Sequence, residues 1–150
     1  MSIEKIAVFT DFSENAAAAV RAAVETAAAF GACLSVVHVI PPVINPVIGD
    51  IDWHAAPLPD TSLVERLETR LRQEVSALVP AGLEWRAMVR QGHVSSEIVS
   101  FLVTQGIDLA VVGAFGLSGM GLVIFGSVAK RVAHRAPCSV MIVRPAGTVA

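Results

Sequence analysis

The sequence predicts an α/β fold, a doubly wound, five-stranded parallel sheet with helices on both of its faces. Three observations lead to this prediction. Short apolar runs of strand length alternate with longer segments of helical character, in the order β-α-β-loop-α-β-α-β-α-β. Most of those runs are continuously apolar, as parallel strands buried on both faces usually are. The 150 residues suffice for one core, so we expect residues 1–150 to form a single domain.

The first strand and helix are indicated by a short apolar run and an alanine-rich segment. Residues 3–10 (IEKIAVFT) predict a buried strand. Residues 15–30 are rich in alanine, the strongest helix former, and Ser13 is placed to cap that helix. Gly31 follows its last residue, where a left-handed C-cap commonly lies. Residues 34–40 (LSVVHVI), rich in β-branched side chains, predict the second strand.

A long loop separates this part from the next helix. Residues 41–60 hold five of the eight prolines, a glycine and three acidic residues. Loops of that length inside a compact domain are usually functional or mobile. We expect Trp53 to pin this loop to the body of the protein. Leucines and valines at helical spacing then predict a helix over 62–79, capped by Asp60 or Thr61 and stopped by Pro80.

The second half predicts three further strands and two helices. Residues 83–90 (LEWRAMVR) alternate apolar and polar, which is typical of a half-covered strand near a sheet edge. A helix over 94–105, a strand over 109–113 (LAVVG) and a helix from about 126 to 134 follow. Residues 139–143 (SVMIV) predict the last strand.

Composition excludes several classes of protein. Hydrophobic residues make up 54% of the chain and charged residues 16%, which is too apolar for intrinsic disorder. The net charge is -2 and no basic tract occurs, so we expect no nucleic-acid partner. The residues 109–129 are uncharged and could span a bilayer by length, but five glycines interrupt them and no aromatic belt flanks them. We therefore expect no membrane segment.

The amino-terminal residues and the cysteines both bear on the compartment in which the protein is found. The first residues place an acid before the first apolar run and show no long hydrophobic region of a signal peptide. Cys33 and Cys138 alone do not make a disulfide framework. Both observations favour a reducing, cytoplasmic location.

Candidate site residues follow from the predicted sheet. In open α/β sheets, ligands bind beyond the carboxyl ends of the strands, where the strand order reverses. Thr10 and Asp11, Val39 and Ile40, and Gly113 stand at the ends of the first, second and fourth predicted strands. Asp11 has an alternative role as a helix-start cap.

A glycine-rich segment over 113–127 (GAFGLSGMGLVIFGS) runs from a buried strand to a helix start. Glycines let backbone N–H groups approach a phosphate closely, because no Cβ intervenes. With a helix dipole behind it and a hydroxyl at Ser127, the segment predicts an anion site without lysine. Tight packing of the loop on the sheet is the alternative interpretation. The GxxxxGK[ST] pattern of a Walker P-loop is not present.

The spacing Gly113-x2-Gly116-x9-Gly126-Ser127 resembles the ATP-binding signature of the universal stress protein family. Residues 8–13 (VFTDFS), 38–39 (HV) and 136–144 (APCSVMIVR) are similar to other segments of that family, so the resemblance covers nearly the whole chain. It implies the adenine nucleotide alpha hydrolase-like architecture, with strand order 3-2-1-4-5. It also implies a homodimer formed through the last strand, residues 139–143, where edge pairing would satisfy exposed backbone groups.

The resemblance implies a role for each site residue. Thr10 and Asp11 would face the nucleoside, and Val39 would hydrogen-bond the adenine through its backbone. Gly113 would lie against the ribose. The residues that would hold the phosphates are Gly116, Gly126, Ser127 and, through its amide, Val128.

The chain departs from the common pattern of the family at two points. Phe115 stands where histidine is often found, and no lysine or arginine occurs between Arg90 and Lys130. The charge of a triphosphate would therefore have to be met by backbone amides, Ser127, a divalent cation such as Mg²⁺ or Mn²⁺, and Lys130 or Arg131. ATP is the expected ligand, with ADP, AMP and a cyclic nucleotide as alternatives.

The sequence gives less support to a metal site, a nucleophilic serine or an FMN site. The four histidines, His38, His54, His93 and His134, show no metal-ligand spacing, so we expect them to be structural or solvated. No serine lies in a G-x-S-x-G setting. A flavodoxin-like FMN carrier would need its phosphate loop after the first strand, where this chain has DFS.

Three functions remain open. The first is a cytoplasmic, ATP-binding regulatory module of the stress response, in which nucleotide occupancy biases the loop over 41–60 and the dimer, and a protein partner responds. The second is a slow ATPase or autophosphorylating enzyme, for which only Asp11 could orient water. The third is a nucleotide-free dimeric interaction protein.

Overall fold

The computed structural model describes residues 2–42, 61–116 and 125–147. Within these ranges strands and helices alternate as the sequence predicts. Their bounds are β1 Lys5–Thr10, α1 Glu14–Phe30, β2 Cys33–Ile40, α2 Thr61–Ser76, β3 Trp85–Gln91, α3 Val94–Gln105, β4 Leu109–Gly113, α4 Ser127–Arg135 and β5 Ser139–Val143. The loop predicted over 41–60, with Trp53 and His54, lies outside the described residues beyond Pro42.

The helix ends show how local sequence sets the boundaries. Ser13 caps α1, because its Oγ accepts a hydrogen bond from the Ala16 amide at 3.2 Å. Gly31 closes the same helix in the left-handed conformation, with φ of 65°. The predicted end of α2 at residue 79 is wrong by three residues. The amide of Leu78 bonds to the Val75 carbonyl, so the chain tightens into a turn before Pro80.

All five strands are parallel, in the order β3-β2-β1-β4-β5. This is the order that the family resemblance implies. β1 pairs with β2 on one side and with β4 on the other, so the chain reverses its direction of travel across the sheet at β1. The carboxyl ends of β1 and β4 therefore flank the switch point at which open α/β sheets bind ligands.

Alternate side chains of each strand serve two separate cores. Ile6 and Val8 of β1 face α1 and α2, where the alanines of α1 allow close packing on the sheet. Ala7 and Phe9 face α3 and α4, and Phe9 packs edge-on against Phe101 at 6.0 Å. This two-sided burial of β1 explains the continuous apolar runs in the sequence.

Two further expectations concern the cysteines and the membrane. Cys33 and Cys138 are both free thiols in this structure. Across the described ranges no helix combines the length and apolar character that crossing a membrane requires.

Candidate functional site

A cavity of about 370 Å³ opens at the carboxyl ends of β1, β2 and β4. Its volume falls within the range of roughly 300–1,000 Å³ typical of small-molecule sites. The eight residues predicted to bind nucleotide all line it: Thr10, Asp11, Val39, Gly113, Gly116, Gly126, Ser127 and Val128. The fold thus brings together residues that are up to 118 positions apart in the sequence (128 − 10).

The turn after β1 is held by its own side chains. Thr10 is buried, and its Oγ1 accepts a hydrogen bond from the Phe12 amide at 3.1 Å. The Oδ1 atom of Asp11 accepts from the Ser13 amide at 3.0 Å. Phe12 between them adopts φ of 64°, a left-handed conformation that is unfavourable for a bulky residue. The turn therefore presents Asp11 to the cavity from a backbone that is fixed at both ends.

Ring contacts link this turn to β2 and α2. The centre of the Phe12 ring lies 4.7 Å from that of the His38 ring, with the two rings tilted by 47°, and the Arg70 guanidinium lies 4.1 Å from the centre of the Phe12 ring. His38 also donates its Nδ1–H to the Thr10 carbonyl at 2.8 Å, since a carbonyl can only accept. These contacts fix the ends of β1 and β2 relative to each other.

The glycines after β4 serve two different purposes. A Cβ at Gly113 would lie 3.1 Å from the Asn15 carbonyl oxygen, so this position must be small for α1 to pack against β4. A Cβ at Gly116 would meet only the Oδ2 atom of Asp11, at 3.0 Å. The Asp11 carboxylate therefore lies directly beside the glycine loop. Packing accounts for Gly113, whereas Gly116 faces the cavity.

The start of α4 has a glycine at its N-cap position, and glycine has no side chain with which to accept a hydrogen bond. Gly126 is its N-cap, and among the described residues no side chain accepts from the first turn of this helix. The Gly126 amide itself donates to the Ala114 carbonyl at 2.7 Å, which closes the glycine loop. Any bound anion would therefore meet the amides of Ser127 and Val128, whereas the Gly126 amide is already used.

The apolar half of the cavity includes residues that the sequence did not single out. Val94 and Ile98 of α3 line it together with Phe9, Val37 and Val112 from the strands. Val94 and Ile98 stand four residues apart at the start of a helix, a spacing that places them on one face. This spacing is the only indication in the sequence that the two residues share a face, and it is equally typical of ordinary core packing.

Charge in the cavity is sparse. Asp11 is the carboxylate of the described lining, which contains no lysine or arginine. Within the described ranges no group of three or more His, Cys, Asp or Glu side chains could hold a metal ion. A divalent cation at this site would thus have to be held largely by its ligand, with Asp11 as the nearby protein carboxylate.

Comparisons with known proteins agree with this geometry. The model of the universal stress protein family matches residues 2–144. A universal stress protein of Thermus aquaticus (in QAH/OAS sulfhydrylase 3'region) is 34% identical over 136 residues, which cover 89% of this chain and 93% of that protein.

Solved structures show the same fold at lower identity. UspA of Lactobacillus plantarum has a TM-score of 0.76 at 23% identity, covering 96% of this chain and 99% of its own. A universal stress protein in complex with cAMP has a TM-score of 0.69 at 23% identity, covering 96% and 98%. The Archaeoglobus fulgidus protein in complex with dAMP has a TM-score of 0.65 at 22% identity, covering 95% and 98%.

Proposed function

The chain belongs to the universal stress protein family, and on this premise we propose that it is an adenine-nucleotide-binding regulatory module that acts as a homodimer. Residues 1–150 constitute its single domain in this proposal. The observation that carries it is the convergence of eight predicted residues from three strand ends and one helix start around one cavity. The cAMP and dAMP complexes of similarly folded proteins support an adenine nucleotide as the ligand.

The two halves of the cavity suit the two halves of a nucleotide. Valines and Ile98 offer an apolar slot for adenine, and the Val39 backbone could hydrogen-bond the base edge. In this proposal Asp11 and Gly113 contact the ribose, and the Oδ2 atom of Asp11 also lies beside Gly116, toward the phosphates. The uncapped first turn of α4 offers amides and the Ser127 hydroxyl to the phosphates. ATP, ADP and AMP all belong to the series proposed here.

The first experiment asks whether any nucleotide binds. Mass spectrometry would identify small molecules released from freshly purified protein, and equilibrium dialysis would measure binding of ATP, ADP and AMP with and without Mg²⁺. Gly116→Val should abolish binding, because its branched side chain would occupy the space between the glycine loop and Asp11. Ala77→Val, at an exposed position outside the lining, is the matched control. A wild-type protein that binds none of the three nucleotides would overturn the proposal.

The dimer proposal rests on β5. Within the described residues β5 pairs only with β4, and four of its five side chains remain half-buried. A short apolar edge strand of this kind is suited to pairing with a second copy. In this proposal the dimer acts in the cytoplasm, and a protein partner responds to nucleotide occupancy.

Light scattering after size exclusion would test the dimer. Met141→Lys places a charge on β5 while its long stem can still cover apolar surface, so the monomer should remain folded. Val103→Lys changes an equally apolar side chain on α3 that is 61% exposed. We expect a monomer for Met141→Lys and a dimer for Val103→Lys. A wild-type monomer at high concentration would contradict the dimer proposal.

A further inference from the structure

The proposed nucleotide site lacks the positive charge that polyphosphates usually meet. Among the described lining residues, Asp11 carries a negative charge and no lysine or arginine is present. The Asp11 carboxylate lies beside Gly116, on the side where phosphates would sit. A phosphate chain bound here would thus extend past a like charge rather than an opposite one.

Two segments that adjoin the lining residues along the chain contain no lysine or arginine. Residues 117–124, which join Gly116 to Phe125, contain no ionisable side chain. Residues 43–60, which follow Pro42, contain Asp50, Asp52 and Asp60 but no lysine or arginine. Neither segment therefore supplies the permanently charged side chain of a lysine or an arginine to a phosphate, and His54 is the one imidazole between them.

Three arginines of the described residues contact other side chains of the protein. Arg90 pairs with Glu97 at 3.2 Å, and both side chains are partly buried. Arg131 donates to the Ser95 hydroxyl at 3.2 Å, which directs it from α4 toward α3. The Arg144 guanidinium lies 5.3 Å from the centre of the Phe125 ring. Redirecting Arg90 toward a phosphate would leave the Glu97 carboxylate without its partner.

Lys130 is exposed on α4 and is not among the described lining residues, so the lining group best placed to meet an anion is the start of α4. A helix N-terminus presents the equivalent of about half a positive charge, together with its first N–H groups. This arrangement can hold one phosphate group through directed hydrogen bonds. Further phosphates would gain no additional donor side chain from the lining and would add charge facing Asp11.

We propose that the site discriminates among adenine nucleotides by phosphate charge and selects the nucleoside monophosphate, open or cyclic, over the triphosphate. This inference rests on the proposed function, because it ranks ligands of the same cavity. Selection is electrostatic. The apolar slot and the ribose contacts are common to the series, and only the number of phosphates differs.

Isothermal titration calorimetry with adenosine, AMP, cAMP, ADP and ATP tests the ranking. The titrations are made in EDTA at low salt, so that no divalent cation binds the phosphates and screening of their charge is weak. We expect AMP or cAMP to bind at least about tenfold more tightly than ATP, because repulsion between like charges in a partly buried site costs on the order of 1–2 kcal/mol. Adenosine should bind more weakly than AMP, because it has no phosphate to bond the start of α4. The difference in affinity between AMP and ATP should decrease as the salt concentration is raised. ATP binding as tightly as AMP would overturn this inference and leave the proposed function intact. Absence of binding by every compound would overturn the proposed function itself.

A pair of variants isolates the charge. Phe115 lines the cavity and is half-buried, so Phe115→Lys adds a cation beside the glycine loop, and Phe115→Gln is the matched polar variant without charge. Relative to Phe115→Gln, Phe115→Lys should shift the ATP-to-AMP affinity ratio toward ATP by about five- to tenfold. Equal ratios in the two variants would contradict an electrostatic origin of the selectivity.

Discussion

The two ends of the sheet satisfy their backbone polar groups in different ways. At the amino end, one Oδ2 atom of Asp108 accepts from the amides of Glu4 and Lys5 at 3.0 and 2.9 Å. The Asp108 amide returns a bond to the Lys5 carbonyl, and the Cys33 amide bonds to the Glu4 carbonyl. At the carboxyl end, the first turn of α4 has no side-chain cap among the described residues.

This difference separates stability from binding. Backbone N–H groups that donate hydrogen bonds within the protein contribute to its stability. Backbone N–H groups left at the rim of a cavity are available to a ligand. Both kinds of helix start occur at the carboxyl end of the sheet. There α1 begins with a Ser13 side-chain cap, and α4 begins with Gly126, which has no side chain. Substitutions at the two ends should therefore change different measurable quantities.

The largest expected effect comes from giving α4 a cap of its own. Gly126 has an extended backbone, with φ of -65° and ψ of 161°, and an added Cβ would make only ordinary contacts, the nearest at 3.4 Å. In Gly126→Asp the carboxylate should bond the first-turn amides, repel phosphate and weaken nucleotide binding about 10- to 100-fold, the equivalent of about 1.5–3 kcal/mol. Calorimetry gives the affinity, and urea unfolding should show stability equal to or above that of the wild type.

Gly126→Ala is the control for this prediction. It adds the same Cβ without an acceptor, so the affinity should fall much less than in Gly126→Asp. If Gly126→Asp binds nucleotide as tightly as the wild type, the amides of α4 are not where the phosphate lies.

The second effect is expected at the amino end. Asp108→Ala removes the acceptor shared by two backbone amides that join the start of β1 to the start of β4. Because water can replace part of that bonding at this partly exposed position, the free energy of unfolding should fall by about 1–2 kcal/mol. Nucleotide affinity should stay within about twofold of the wild type, since no direct contact with the cavity is lost. A large loss of nucleotide affinity at unchanged stability would contradict the division into an amino end that serves stability and a carboxyl end that serves binding.

The contrast between Asp108 and the site residues also shows what sequence alone can predict. The strand-helix alternation and the caps at Ser13 and Gly31 are local patterns, and the structure confirms them. The site residues could be named because the glycine spacing resembles a family signature and because ligands bind at strand ends. The bonds of Asp108 could not be predicted in this way, since its partners Glu4 and Lys5 are 104 and 103 positions away and no local pattern encodes them.

The same limit applies to the apolar wall of the cavity and to the arginines. Val94 and Ile98 follow an ordinary helical spacing, and only the packing of α3 beside β2 brings them to the cavity. The sequence showed a scarcity of lysine and arginine, but not that Arg131 bonds to Ser95 on the neighbouring helix. Contacts between elements depend on tertiary packing, which residue patterns within one element do not determine.

A third effect is expected at Ser13, which lies at the same end of the sheet as the start of α4 but caps α1. Ser13→Ala removes the side-chain cap of α1, which accepts from the Ala16 amide. We expect the free energy of unfolding to fall by about 1 kcal/mol, as is typical of a lost N-cap. Binding should change little, because the Asp11 carboxylate keeps its bond from the Ser13 amide. Urea unfolding and calorimetry measure the two quantities, and a tenfold loss of affinity would show that the capped helix also serves the ligand.

The smallest effect concerns the cysteine thiols at the amino ends of β2 and β5. Burial raises the pKa of Cys33, with a contribution from the nearby Glu84 carboxylate, and burial likewise raises the pKa of Cys138, with a contribution from Asp108. Each thiol therefore ionises more readily in the unfolded chain than in the folded one. Their contribution to stability is fully present below the unfolded pKa of about 8.5 and is lost as pH rises through the folded values.

This linkage can be observed because little else titrates in the same range. The chain has no tyrosine, and its lysines are Lys5 and Lys130. The free energy of unfolding should fall slightly between pH 8 and pH 10, and the double variant Cys33→Ser, Cys138→Ser should show a smaller fall. Nucleotide affinity should not follow the thiols over this interval, because neither sulfur lines the cavity. A parallel loss of affinity that the double variant removes would show that the amino end of the sheet influences the site at the carboxyl end.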